Sequence, residues 1–244
     1  MRNEVPVAAT DPLGLAEQLV SADRAVRLPG VSGPDLAWNA HLQQLTYRRI
    51  VERPEWRAMF LAALPANLRV AAGINLDSGA DLRALITPGT RLPAWRIVEP
   101  PSADQLLSIY RDAEAEFSVP WTFLAAIHLV ETRMGRIRGD STAGAQGPMQ
   151  FLPATWAAYG GGGDINDDRD SIRAAARYLK ANGAPTDMPN ALFRYNHSDR
   201  YVRAITGYAT LMRVDPAAFR TYHGWQVYYL TAGGDVLLAV GYRG

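Results

Sequence analysis

The stretch SVPWTFLAAIHLVETRMG, residues 118–135, decides how the chain is read. Stepping back from Glu131 by four and then three residues reaches Ile127 and Leu124; stepping forward by three reaches Met134. Those offsets mark one face of an α-helix, with Ser118 as N-cap, Pro120 near the first turn and Gly135 at the end. A carboxylate on such a face has two explanations. It is an ion-pair partner of Arg133, Arg136 or Arg138, or it is a carboxyl kept protonated. Lost hydration and the negative end of the helix dipole both raise its pKa, which is what a general acid needs near neutral pH.

Outward from that helix the pattern stays helical. Residues 1–34, ending in LPGVSGPD, read as a mostly irregular lead with one short helix at most. Residues 35–100 read as an accessory helical region packing on the core, with Asp35 as N-cap, Pro54 dividing the pattern and Pro65 stopping it. The proline-bearing connector TPGTRLPAWRIVEPPSAD follows. Residues 101–213 form the main domain: Ser102 caps one helix, Asp170 or Ser171 opens another, and further helices start near Pro189 and Tyr201. Residues 214–244 carry the β-rich WQVYYLTAGGDVLLAVGY, a hairpin turning at Gly233–Asp235. The fold class is mainly α with a small terminal β element.

Composition narrows the functions. Twenty-five basic and 24 acidic residues leave a net charge of +1, with no basic run, so no nucleic-acid partner is expected. The chain has no cysteine, which excludes disulfides, thiolate metal sites and a cysteine nucleophile. The four histidines make no paired-ligand spacing, and no metal or other cofactor is expected. Asp164, Asn166, Asp168 and Asp170 alternate as oxygen ligands do, but without the terminal Glu of a calcium loop they read as a glycine-rich turn with a helix cap. Trp38, Trp56, Trp95 and Trp121 read as core residues, with Trp95 or Trp121 the alternatives for a sugar-stacking platform.

Two further stretches carry polar groups suited to a ligand. STAGAQGPMQFLPATW, residues 141–156, places Gln146 and Gln150 beside Met149 and Phe151 in a loop whose small residues permit close approach. YNHSDRY, residues 195–201, places two tyrosines and an asparagine at a helix boundary; aromatic faces stack on sugar rings, and a tyrosine hydroxyl can hold a carboxyl.

Taken in order, the glutamate at a helix end, GAQGPMQFLPATW, AAARYL and YNHSDRYV resemble the lytic murein transglycosylases, nearest the membrane-bound B type and its actinobacterial relatives. The resemblance covers about residues 101–210. It implies a lysozyme-like helical fold that cleaves the MurNAc–GlcNAc β-1,4 bond of peptidoglycan and leaves 1,6-anhydroMurNAc ends. Glu131 matches the single catalytic acid/base. Ser141, Met149 and Gln150 match cleft residues, Tyr178 a helix tyrosine lining the same cleft, and Tyr195, Asn196 and Tyr201 the motif that orients the acid. Peptidoglycan glycan strands are the implied partner, with cell-wall proteins as candidate partners of the N-terminal region. A monomer is expected, located outside the cytoplasm, although the sequence shows no export signal. Two rivals stand beside this expectation: a catalytically silent glycan-binding module, and a hydrolytic muramidase using Asp140 across the cleft.

Overall fold

The computed structural model describes residues 4–31 and 33–244. Its first helix, α1 (Pro12–Val26), is capped by Asp11, whose side chain accepts from the Leu13 and Gly14 N–H groups. Leu15, Ala16, Leu19, Ala22 and Val26 recur every three or four positions and are buried. The lead thus carries one helix of fifteen residues, packed into the core, with non-helical chain on either side of it; its residues 1–3 and 32 lie outside the described residues.

α1 packs along α2 (Gly33–Glu52), which starts two residues before Asp35, so Asp35 lies inside the first turn and not at the cap. A 3-10 turn (Pro54–Trp56), α3 (Arg57–Ala63) and α4 (Ala66–Arg83) follow, divided at Pro54 and Pro65 as those residues require. α5 (Ala103–Phe117) opens with a reciprocal capping box between Ser102 and Gln105 and buries Leu106, Tyr110, Ala113 and Phe117. Ser118 does not cap the next helix; it ends α5 in the left-handed conformation at φ 60°, and Pro120 stands at the N-terminus of α6 (Trp121–Thr132).

α6 is central. Leu124, Ala125, Ala126, Ile127 and Leu129 have no exposed surface at all, so the helix is covered nearly all round instead of along one stripe. α10 (Asp199–Val214) lies between α4 and α6. α7 (Pro153–Tyr159), α8 (Asp168–Ala181) and α9 (Met188–Asn196) flank this centre, and the short α11 (Ala218–His223) follows α10. α8 is opened by Asp167 rather than Asp170 or Ser171, and its run Ala174, Ala175, Ala176 lets it approach α5 closely. One hydrophobic core runs unbroken from Leu15 of α1 through α6 to Trp225, so residues from the lead, the accessory region and the main domain share it.

Two small sheets complete the chain. β1 (Arg96–Ile97) pairs antiparallel with β2 (Ile137–Arg138), fastening the connector to the segment after α6. The C-terminal hairpin pairs β3 (Val227–Thr231) with β4 (Gly234–Leu238), Val227 opposite Leu238. Its turn is Ala232–Gly233, and Asp235 lies within β4, where it meets Arg48 at 2.5 Å and Arg83 at 3.1 Å. Among the described residues no helix is long and apolar enough to cross a membrane.

Candidate active site

The C-terminal end of α6 is built by an unusual turn. Arg133, Met134 and Gly135 all take positive φ, 54°, 57° and 86°. For two non-glycine residues this costs on the order of 1 kcal/mol each, retained because the surroundings dictate it. The Arg133 and Met134 N–H groups return to the Leu129 and His128 carbonyls, and the Thr132 hydroxyl donates to the Pro148 carbonyl at 2.6 Å. Thr132 thus ties the helix end to the loop carrying Gln146 and Gln150. Met134 is fully buried but lies beyond the helix, so it does not share a helical face with Glu131.

Glu131 sits one residue before that turn, partly exposed. Its Oε1 accepts a hydrogen bond from the Tyr201 hydroxyl at 2.7 Å. Burial pushes its pKa up to about 7, while the Tyr201 bond, which favours the charged form, acts in the opposite direction. None of the three neighbouring arginines reaches it. Arg133 donates to the Leu129 carbonyl at 2.7 Å, Arg136 meets Glu99 at 3.2 Å, and Arg138 meets Asp168 at 2.6 Å. The ion-pair explanation for Glu131 therefore fails, and a neutral carboxyl near physiological pH is what its environment favours.

Tyr201 is 1% exposed and stacks parallel on Tyr195, ring centroids 6.3 Å apart. Tyr178 meets Tyr195 edge-on at 5.6 Å, and Phe151 stands against both. The hydroxyls serve different ends. Tyr195 donates to the Met149 carbonyl and Tyr178 to the Arg194 carbonyl, both at 2.7 Å. Tyr201 alone holds the acid; Tyr195 instead locks the glutamine loop against α9.

The remaining expected ligand residues divide. Met149 is fully buried, so its side chain is core and only its carbonyl serves the site. The Ser141 hydroxyl accepts from the Ala143 and Ala145 N–H groups and shapes the loop. Gln146 pairs with Phe151 through the backbone, its side-chain amide 3.4 Å from Asp140 Oδ2. Gln150, at φ 51°, donates to the Gly147 carbonyl at 2.9 Å. Asn196 ends α9, exposed, and its side chain makes no hydrogen bond among the described residues. Glu131, Gln150, Tyr178 and Tyr195 are each partly exposed, so the site opens to solvent.

Gly147 holds the loop in place. Its φ of 72° is left-handed, and a Cβ there would collide with the Ile165 carbonyl. The run after α7 is consumed by local bonds: Asp164 Oδ1 accepts from Asn166 N–H, Asp170 Oδ2 from Asp164 N–H, and Asp167 caps α8. Asp168 turns inward, its Oδ1 3.4 Å from Nε2 of the fully buried His128, whose Nδ1 meets the Tyr110 hydroxyl at 2.8 Å. Among the described residues no group of three His, Asp or Glu side chains is placed to hold a metal ion. Asp140 and Asp199, the other carboxyls near these loops, are exposed.

Three contributors were not legible in sequence: Thr132 as loop clamp, Asp168 as the partner of His128 and Arg138, and Trp95, whose indole N–H donates to the Asp140 carbonyl at 3.1 Å. Each acts across a long sequence separation, and no local pattern signals it. Trp121 is packed between Phe219, 5.5 Å away, and the Arg111 guanidinium at 4.8 Å, which leaves it a packing role. Comparison of the chain with family models, with curated proteins and with solved structures gave no match in any of the three.

Proposed function

We propose that the protein is a lytic transglycosylase acting on peptidoglycan, with Glu131 as its single acid/base. The observation that carries this reading is the Glu131 carboxyl itself, its pKa raised to about 7 by burial, without a cationic partner among the described residues and hydrogen-bonded to Tyr201 at 2.7 Å. In the first step the protonated carboxyl gives its proton to the glycosidic oxygen of the leaving GlcNAc as the bond from that oxygen to MurNAc C1 breaks. The resulting carboxylate is then stabilised by the Tyr201 hydroxyl. It accepts the proton of the MurNAc C6 hydroxyl while that oxygen bonds to C1, so water is not consumed and the acid is regenerated. Positioned proton transfer of this kind contributes typically about 10²–10⁴-fold.

A two-carboxylate hydrolase needs a second acid to activate water or to attack C1. Asp140 and Asp199 are exposed, and Glu131's proton affinity is set by burial and Tyr201 alone. That supports the lyase over the hydrolase. Retention of a poorly hydrated acid supports either enzyme over a silent binding module, because sugar binding needs no such group.

Mass spectrometry of digested peptidoglycan tests the reading. Muropeptides ending in anhydroMurNAc, absent with Glu131→Gln, are expected. Products one water heavier, with reducing MurNAc ends, establish the muramidase; no products from a folded protein establish the binding module.

A further inference from the structure

Beneath the C-terminal hairpin, with Glu131 not among its lining residues, lies a cavity of about 90 Å³ bounded by α2, α4, α10, β3 and the turn after α6. Three arginines line it, Arg48, Arg83 and Arg133, and among the described residues no acidic side chain does. Arg48 and Arg83 converge on Asp235, and Arg83 also reaches Glu52 at 3.6 Å. Among the described residues Arg133 has no such partner, and only one of its side-chain N–H groups meets a protein acceptor, the Leu129 carbonyl. Arg48, Arg49 and Arg83 share the two carboxylates Asp235 and Glu52, and Arg133 meets neither.

Another donor at the same cavity is unsatisfied: the buried Trp225 Nε1–H finds no acceptor among the described residues. A buried unpaired donor is strongly disfavoured unless something completes it. What the described residues leave unpaired at the cavity is positive charge and an indole N–H. Arg133, left-handed at φ 54°, lines this space, whereas Glu131 does not.

We propose that this cavity is a binding site for a small carboxylate carried on a short apolar group. The guanidinium of Arg133 takes the carboxylate, in the planar geometry that suits it, and the aromatic walls take the apolar portion. Burial and the neighbouring Arg48 charge lower the Arg133 pKa to about 10, an electrostatic load that an anion relieves. The site is independent of the glycosidase reading and stands or falls separately.

Titration of the protein with sodium propionate at fixed ionic strength, following the Trp225 indole N–H by NMR, tests it. Saturable binding is expected, weakened at least tenfold by Arg133→Met and by Gly79→Leu. The second variant keeps every charge and fills the space from a helical position whose added Cβ meets only Val51 at 3.4 Å. N-acetylalanine in a parallel titration distinguishes sources: if it also saturates, a peptide chain end is the ligand class, and if only propionate does, a free short acid is. Failure of both to saturate, saturation by phosphate or chloride alone, or carboxylate binding unchanged in Gly79→Leu overturns the proposal.

Discussion

Replacing Glu131 by Gln removes one titration from the native state while leaving an amide oxygen that still accepts from Tyr201. The wild-type carboxyl is raised from an ordinary 4.5 to about 7, so the folded protein binds this proton more tightly than the unfolded chain does. Stability from that source is full below about 4.5 and is lost as pH rises through 7. At roughly 1.4 kcal/mol per pKa unit, the shift corresponds to about 3 kcal/mol, and partial solvent access reduces it to about 2 kcal/mol. Urea unfolding of both proteins at pH 4.5 and pH 8 measures it, since every other titrating group cancels in the difference. The Glu131→Gln variant should gain about 2 kcal/mol on wild type between those two pH values, even though the proposed mechanism leaves it without activity. A gap that stays constant or closes as pH rises refutes the raised pKa, and with it the reason for assigning the acid.

Three other outcomes are expected. Tyr201→Phe deletes a bond to the charged form, so if the proposed activity gives a kcat/KM profile whose alkaline limb follows the Glu131 pKa of about 7, that limb should move to higher pH and the transition state should lose about 1–3 kcal/mol; an unmoved limb separates Tyr201 from the acid. Tyr195→Phe strands the buried Met149 carbonyl and should lower stability by about 1–3 kcal/mol in urea unfolding with the pH limb in place; a shifted limb would return Tyr195 to holding the acid. Gly147→Ala forces a Cβ against the Ile165 carbonyl at positive φ and should destabilise by more than about 3 kcal/mol, read as a lowered Tm; a variant of normal stability shows that the loop relaxes freely.

Much of the framework was settled by local chemistry. Pro54 and Pro65 divide the N-terminal helices because proline cannot donate inside one, and Ser102 with Gln105 starts α5 because the pair satisfies orphan N–H groups. The alternating strands around Ala232–Gly233 make a hairpin for equally local reasons. Glu131 stood out in sequence as a charge among apolar neighbours, and that anomaly survives in the folded chain.

Tertiary structure decided what the anomaly means. Only packing could show that α6 is covered nearly all round, that its end reverses through three left-handed residues, and that Arg133 lines a space that Glu131 does not. Residues of like appearance also parted company. Tyr195 and Tyr201 lie six residues apart in one segment, yet one hydroxyl secures a backbone carbonyl and the other the acid. Met149 sank into the core while Gln150 beside it stayed at the surface. Side-chain period and capping act within a few residues, and so a sequence records them. The proton affinity of a carboxyl depends on which distant atoms displace its water, and that is fixed only when the whole core closes around it.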